Sequence, residues 1–258
     1  MPASTHPLTR DYLVHIADSV GTGGGWDFIY RGTTREPVPW HYSDIVQRYL
    51  SPTDVVLDTG TGTGEYLLSL APYFSRGIGI DVDRRKIEAA RARLSRGLEK
   101  KLSFQQMSVD ELKFPDEWFD VVLSRHAIVN VEQIARVLRP GGLFLTEQMG
   151  PRDAENVCGV FGCTAGGRYQ VRADQAVDSL VAAFSALGCA VVARCEYNVT
   201  CYYHSIASFV SWLKAVPIPQ DFDMRRHWEH VAQILAASTT PRGIRTNEHR
   251  ILLIVRKP

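Results

Sequence analysis

Three glycines at alternate positions follow an acidic residue at the end of a short apolar segment. Residues 55–65 read Val-Val-Leu-Asp-Thr-Gly-Thr-Gly-Thr-Gly-Glu. The apolar residues predict a buried strand, and Gly60, Gly62 and Gly64 predict a tight turn into a helix. Glycine lets the backbone approach a ligand closely, and amides at a helix N-terminus attract anionic groups. The pattern therefore favours a nucleotide-like ligand, although its spacing differs from the Gly-x-Gly-x-x-Gly fingerprint of dinucleotide sites.

A second acidic residue, Asp81, ends another short apolar segment at residues 77–80. In a parallel sheet the ends of neighbouring strands meet at one edge, where an acid binds ribose hydroxyls. A carboxylate can accept a hydrogen bond from each of two vicinal hydroxyls. Val82 would then cover the face of an adenine, whereas Asp83 precedes a basic segment and is expected to cap a helix.

Four ordered segments extend this pattern through the middle of the chain. They are residues 57–64 (Leu-Asp-Thr-Gly-Thr-Gly-Thr-Gly), 79–83 (Gly-Ile-Asp-Val-Asp), 114–122 (Phe-Pro-Asp-Glu-Trp-Phe-Asp-Val-Val) and 138–142 (Leu-Arg-Pro-Gly-Gly). Together they resemble the class I S-adenosylmethionine-dependent methyltransferases of the small-molecule type. The resemblance covers roughly residues 50–150 and implies S-adenosyl-L-methionine as the cofactor.

The resemblance also implies a set of cofactor-binding residues. Asp58 and the glycines would hold the amino-acid part of the cofactor, and Asp81 its ribose. Ser108 stands where the family commonly has an acid, so its hydroxyl and the amide of Val109 would recognise adenine, with Asp110 as a displaced alternative. The complete predicted set is Asp58, Gly60, Thr61, Gly62, Gly64, Asp81, Val82, Ser108, Val109 and Ser124.

Three residues are candidates for catalysis. His126 follows the fourth predicted strand and has a side chain suited to general-base chemistry, although a structural histidine is the alternative. Glu147 ends the fifth strand and could bind or deprotonate an amine, or anchor its loop. Tyr203 could form part of the wall around the methylsulfonium. No His-Glu-x-x-His or Cys-x-x-Cys pattern indicates a metal site.

From residue 55 onward, short apolar runs alternate with helical patterns. This alternation predicts an α/β fold, a Rossmann-like, doubly wound, mostly parallel seven-stranded sheet. The predicted strands are residues 55–59, 77–81, 102–106, 119–124, 142–147, 190–199 and 250–255. The predicted helices are residues 65–73, 84–98, 131–138, 171–187, 206–216 and 224–237.

The flanking segments add to this sheet, and we predict a single domain over residues 1–258. Residues 1–50 would form an N-terminal helical lid, with helical spacing over 8–20, a glycine-rich break and then a series of aromatic residues. Residues 51–150 would form the cofactor-binding core, and residues 151–258 the C-terminal part. There a helical insertion near 205–240, before the last strand, would cap the ligand-binding edge.

Composition narrows the choice of partners. The 29 lysines and arginines nearly balance the 28 acids, which argues against nucleic acid as a substrate. Five cysteines in a chain of 258 residues favour reduced thiols, and neither a long apolar run nor a signal-peptide pattern is present. The sequence therefore predicts a cytoplasmic protein that does not bind a membrane, either a monomer or a homodimer.

Three functions are consistent with these patterns. The first is in-line methyl transfer to a small-molecule acceptor, giving S-adenosylhomocysteine. The second is attack at another carbon of the sulfonium, which transfers or cyclises the aminocarboxypropyl group and releases methylthioadenosine. The third is a non-catalytic module that binds the cofactor, because a fold by itself does not establish turnover.

Overall fold

The computed structural model describes residues 8–21, 32–163, 175–216, 218–219 and 221–258. The chain divides into two compact units. The larger unit contains residues 39–150, 172–196 and 250–258, and the smaller contains 1–38, 151–171 and 197–249. The predicted lid over 1–50 therefore contributes to both units, and the single-domain boundary of 1–258 stays a prediction.

The described residues form nine strands and nine α-helices. The strands are β1 (Thr33–Arg35), β2 (Val55–Thr59), β3 (Arg76–Asp81), β4 (Leu102–Gln106), β5 (Phe119–Arg125), β6 (Leu138–Met149), β7 (Ala190–Tyr203), β8 (Thr239–Thr240) and β9 (Gly243–Arg256). The helices are α1 (Arg10–Ser19), α2 (Tyr42–Tyr49), α3 (Glu65–Ser69), α4 (Arg84–Ala92), α5 (Val131–Val137), α6 (Glu155–Phe161), α7 (Val177–Ala186), α8 (Ile206–Ala215) and α9 (Met224–Ser238). A short 3₁₀ helix, Ala71–Tyr73, follows α3.

The sheet of the larger unit has the strand order β7-β9-β6-β5-β2-β3-β4. Strands β2 to β6 pair in parallel, and β9 runs antiparallel to β6. The predicted Rossmann-like, mostly parallel sheet is confirmed, but β1, which pairs with β7, and β8, which pairs with β9, extend the predicted seven strands to nine. Strands β2, β3 and β4 follow one another towards one edge of the sheet, whereas β5 and β6 lie on the other side of β2. The order in which strands are added therefore reverses between β2 and β5. Ligands of open α/β sheets bind beyond the strand ends at such a reversal.

Capping side chains determine where two helices near this reversal begin. The side chain of Asp83 accepts a hydrogen bond from the amide of Arg85 and starts α4, as predicted. Asn130 caps α5 in the same way through the amide of Gln133. Helix α5 ends at Val137, immediately before β6 begins at Leu138. Within the Arg139-Pro140-Gly141-Gly142 segment Gly141 has a φ of 78°, and the pairing of β6 with β5 shifts register between Leu138 and Leu143.

The core of the larger unit lies on both faces of its sheet. Neighbouring residues of a strand point to opposite faces, and Val121 and Val122 accordingly belong to different hydrophobic clusters. One cluster includes Phe184 from α7 together with α5 residues. The other includes Val46 from α2 with residues of α3 and α4. Helices therefore cover the sheet on both faces, as the doubly wound prediction requires.

The smaller unit is built mainly from helices. Helix α1 packs against α8 and α9, and its core includes Leu13, Phe209 and Val231. Strand β1 pairs antiparallel with the end of β7, from Thr33 opposite Tyr203 to Arg35 opposite Cys201. The predicted helices at 8–20, 206–216 and 224–237 are confirmed. The predicted aromatic segment falls largely on residues 22–31, which lie outside the described residues, and the capping role of the insertion stays a prediction.

Two further features concern membrane-spanning helices and the cysteines. Within the described ranges, no helix combines the length and the apolar character needed to cross a membrane. All five cysteines are free thiols. Burial raises the pKa of Cys158 to about 12, so this thiol is a poor nucleophile near neutral pH.

Removing the ring of Phe184 should strongly destabilise the larger unit. Phe184 is fully buried and lies with its ring centroid 5.1 Å from that of Phe144. We expect Phe184→Ala to lower the free energy of unfolding by about 3–5 kcal/mol, measured by urea denaturation. Leu187→Ala is the control, because Leu187 is 45% exposed. A loss below about 1 kcal/mol in Phe184→Ala would contradict this assignment of the core.

Candidate functional site

The glycine-rich loop connects β2 to α3 in a left-handed conformation. Gly60, Gly62 and Gly64 have φ angles of 73°, 58° and 82°, which side chains with a Cβ seldom adopt. Gly64 is the N-cap residue of α3. The amide of Thr61 donates a 2.8 Å hydrogen bond to the carbonyl of Ile80. The loop is thereby tied to the end of β3.

The three glycines differ in what surrounds them. A Cβ on Gly60 would lie 2.3 Å from the Cβ of Ala127, and one on Gly64 would lie 2.8 Å from the Phe104 ring. Neither Gly60 nor Gly64 therefore has room for a side chain. At Gly62, by contrast, no atom of the described residues lies within 4 Å of the same position. Gly62 thus presents bare backbone to open space at the strand ends, where a ligand could approach.

Asp81 connects the end of β3 to this loop. One carboxylate oxygen, Oδ2, accepts a 3.0 Å hydrogen bond from the Gly62 amide, and Oδ1 accepts one of 2.9 Å from the Asp83 amide. The residue is buried, yet each oxygen retains a second lone pair that a ribose hydroxyl could use. The adjacent Val82 is 64% exposed, so its side chain is accessible to a ligand. The ribose and adenine roles of these two residues stay predictions.

Asp58 is buried below the loop, in β2. Burial disfavours its charged form and raises the pKa of the carboxyl group to about 7. Near neutral pH this carboxyl group is therefore about half ionised. A cation placed against it would favour ionisation, so the site suits an ammonium group.

The predicted adenine contacts lie in the turn after β4. The Ser108 hydroxyl accepts a 3.1 Å hydrogen bond from the Asp110 amide and lies 3.3 Å from the Asp110 carboxylate. Asp110 also accepts from Asn130 Nδ2 at 3.2 Å. Val109 packs partly against the core. Ser108 and Asp110 thus stabilise their own turn, and adenine recognition by Ser108 and Val109 stays a prediction.

A compact charged group forms where β5 and β6 end. Arg125 Nε donates a 2.9 Å hydrogen bond to Glu147 Oε1, and His126 Nε2 lies 3.2 Å from the same oxygen. Burial of Glu147 raises its pKa, but the adjacent His126 and Arg125 outweigh burial and lower the pKa to about 2. Glu147 is therefore ionised and weakly basic at neutral pH. The geometry favours the anchoring alternative for Glu147 over the proton-accepting one.

Two further predicted residues border this charged group. Ser124 is fully buried, and its hydroxyl has no hydrogen-bond partner among the described residues. His126 has a φ of 52°, which is unusual for a residue with a Cβ, and its amide donates to the Glu147 carbonyl at 2.9 Å. The backbone thus holds the imidazole beside Glu147, and the catalytic role of His126 stays a prediction.

Two tyrosines that the sequence did not single out as site residues lie beside Arg125. The rings of Tyr42 and Tyr66 stack at 5.5 Å, and the Arg125 guanidinium lies 5.6 Å from the centroid of the Tyr66 ring. The Tyr42 hydroxyl donates to the Leu145 carbonyl at 2.8 Å, whereas that of Tyr66 is buried without a partner among the described residues. The one sequence signal for Tyr66 is its position two residues after Gly64, in the first turn of α3.

Tyr203, the last residue of β7, belongs to the smaller unit. It is 2% exposed and packs against Phe209 and Trp212, with ring centroids 5.5 and 5.3 Å away. Its proposed contact with the methylsulfonium stays a prediction. Among the described residues, no three His, Cys, Asp or Glu side chains are grouped in a way that could hold a metal ion.

A comparison with known protein families finds a match in the middle of the chain. Residues 56–142, which contain the glycine loop, Asp81 and the start of β6, match a family model described as a methyltransferase domain. The matched region is about a third of the chain, and it supports the predicted S-adenosylmethionine-dependent methyltransferase fold with S-adenosyl-L-methionine as the cofactor.

Individual relatives share this central region. The chain is 33% identical over 106 residues to the uncharacterised methyltransferase YcgJ of Bacillus subtilis, covering 38% of this chain and 42% of YcgJ. It is 35% identical over 117 residues to a demethylmenaquinone methyltransferase of Symbiobacterium thermophilum, covering 41% and 47% of the two chains. The alignments therefore span less than half the length of these relatives.

Similarity of fold extends further along the chain. The crystal structure of YcgJ superimposes with a TM-score of 0.59 at 23% identity and covers 84% of this chain and 98% of YcgJ. The [4+2]-cyclase SpnF superimposes with a TM-score of 0.58 at 18% identity and covers 97% of this chain and 93% of SpnF. These likenesses support the Rossmann-like fold.

A side chain at Gly62 should interfere with cofactor binding. Gly62→Ala would place a methyl group in the open space beside the loop, and we expect the affinity for S-adenosylhomocysteine to fall at least about tenfold by calorimetry. Gly97→Ala is the matched control, because Gly97 also has a positive φ, 102°, and faces open space, but it precedes β4. If both variants bind equally well, the loop does not contact the ligand through Gly62.

Cofactor affinity should depend on the ionisation of Asp58. Below pH 7 the ionised fraction of this carboxyl group falls about tenfold per pH unit, so it loses its attraction for the ligand ammonium. We expect the affinity for S-adenosylhomocysteine to rise with pH from 5 to 7 and then level off. Asp58→Asn should bind weakly with little pH dependence over this interval. A flat profile for the unaltered protein would contradict the predicted contact.

Proposed function

We propose that the protein is an S-adenosylmethionine-dependent methyltransferase that acts on a small-molecule acceptor and releases S-adenosylhomocysteine. The observation that carries this proposal is the glycine loop, where Asp81 holds the Gly62 amide while Gly62 itself faces open space. The family match over residues 56–142 supports the cofactor. The name of one relative, demethylmenaquinone methyltransferase, supports an acceptor of small-molecule size.

The residues at the strand ends fit the chemical groups of the cofactor. Asp58 offers a buried carboxyl group to an ammonium, and Asp81 offers two free lone pairs to the ribose. The open space at Gly62 leaves room for a ligand against the backbone. When bound, S-adenosylmethionine supplies a methyl group that its sulfonium charge already activates.

The protein would contribute mainly by positioning the acceptor. Glu147 is a weak base, because its pKa is lowered to about 2 despite its burial. His126 lies against this carboxylate at 3.2 Å. An acceptor that reacts as an anion or a neutral amine needs alignment and exclusion of water rather than a strong base.

Non-methyl chemistry is the second candidate, because the same fold occurs in a [4+2]-cyclase. In that case the aminocarboxypropyl group of the cofactor would be transferred or cyclised, and methylthioadenosine would be released. A non-catalytic binding module is the third candidate. These three functions share the cofactor site and differ in the product.

The products can be resolved by mass spectrometry after incubating the purified protein with S-adenosylmethionine, first alone and then with a metabolite extract. Adenosylhomocysteine that forms only with the extract would support methyl transfer. Methylthioadenosine formed without an acceptor would instead establish intramolecular chemistry. Tight binding without consumption of the cofactor in either incubation would favour the non-catalytic module.

Asp81→Ala should abolish most product formation by weakening cofactor binding. We expect a loss of about 1–3 kcal/mol in binding free energy, the range for removing hydrogen bonds to a charged partner. Asp116→Ala is the control, because Asp116 is an exposed carboxylate that pairs with Arg136 at 2.7 Å. Unchanged affinity in Asp81→Ala would show that the ribose binds elsewhere.

A further inference from the structure

The guanidinium group of Arg125 is held in place on one edge and one face. Its Nε donates to Glu147 Oε1 at 2.9 Å, and its plane lies above the Tyr66 ring at 5.6 Å. Glu147 is almost completely buried, so this anchor is itself fixed by packing. The guanidinium therefore has a defined orientation before any ligand binds.

The other edge of the guanidinium is available to a ligand. The Arg125 side chain is 49% exposed, and among the described residues its sole hydrogen bond is the one from Nε. The Nη1 and Nη2 groups can still donate two parallel hydrogen bonds, which is the geometry that a carboxylate accepts. The Tyr66 ring lies against the same guanidinium, and its buried hydroxyl, which has no partner in the described part of the chain, could donate a third.

Arg125 lies close to the glycine loop. Thr59 at the end of β2 is paired with Ser124 at the end of β5, so the two loops that follow begin side by side. They stay in contact, because a Cβ on Gly60 would collide with Ala127. A fixed cation at Arg125 and the carboxyl group of Asp58 are thus both present at the same strand ends.

On the basis of the proposed function, we propose that Arg125, with the Tyr66 hydroxyl, binds the α-carboxylate of the cofactor. An amino acid carries an ammonium and a carboxylate on one carbon, and Asp58 and Arg125 offer a group of opposite charge to each. An acceptor with only a carboxylate would use Arg125 alone. The pair of opposite charges therefore selects the amino-acid arm of S-adenosylmethionine.

Calorimetry with two ligands tests this assignment without any need for turnover. S-adenosylhomocysteine carries the carboxylate, and decarboxylated S-adenosylhomocysteine lacks it but is otherwise identical. The unaltered protein should bind S-adenosylhomocysteine at least tenfold more tightly. Arg125→Gln should lose most of this preference while its affinity for the decarboxylated ligand stays the same, and Arg125→Lys should restore part of it. Tyr66→Phe should reduce the preference several-fold.

Controls separate recognition from folding. Arg125→Gln leaves Glu147 buried without its arginine, so the double variant Arg125→Gln with Glu147→Gln removes both charges and should show the same loss of preference. Arg139→Gln is the matched surface control, since Arg139 is 46% exposed and pairs with Asp120 at 2.7 Å. It should leave both affinities unchanged.

Two results would overturn the assignment, and they differ in what else they imply. If Arg125→Gln folds, binds S-adenosylhomocysteine and keeps the full preference, the carboxylate binds elsewhere and the free guanidinium edge faces the acceptor. The proposed function would survive that result. If the unaltered protein binds neither ligand, the proposed function fails together with the role of Arg125.

Discussion

The hydrogen bond from the Gly62 amide to Asp81 determines the shape of the cofactor site. The loop after β2 has three glycines with positive φ, and because glycine is conformationally free, other groups must fix the loop in one conformation. Asp81 holds the loop from the neighbouring strand and also orients the start of α4 through the Asp83 amide. One carboxylate therefore fixes the loop relative to the sheet and retains lone pairs that face the ligand space.

The second constraint is the arrangement of charges where β5 and β6 end. Glu147 is ionised although it is buried, because Arg125 and His126 compensate the cost of removing its charge from water. Glu147 is therefore a weak base that anchors Arg125. The same strand ends thus provide a fixed cation beside the glycine loop, together with the carboxyl group of Asp58, whose pKa is raised to about 7.

The sequence predicted the features that depend on neighbouring residues. Strands β2 and β4 have the predicted bounds, and Asp83 caps α4, because apolar runs and capping residues act over a few positions. Helix α2 was not predicted, although Tyr42, Ile45, Val46 and Tyr49 recur at helical spacing, because Tyr42 was assigned to the preceding aromatic segment. Tyr66 was missed for a different reason: its contacts with Tyr42 and Arg125 join segments distant in sequence, and only packing brings them together.

The raised pKa of Asp58 has a consequence for the stability of the ligand-free protein. The unfolded chain ionises this group near pH 4 and the folded protein near pH 7, so folding becomes less favourable as the pH rises between these values and does not recover above them. Near neutral pH this carboxyl group therefore destabilises the folded, ligand-free protein. Binding of an ammonium would relieve this destabilisation and release protons, so the cofactor would also act as a pH-dependent stabiliser of the fold.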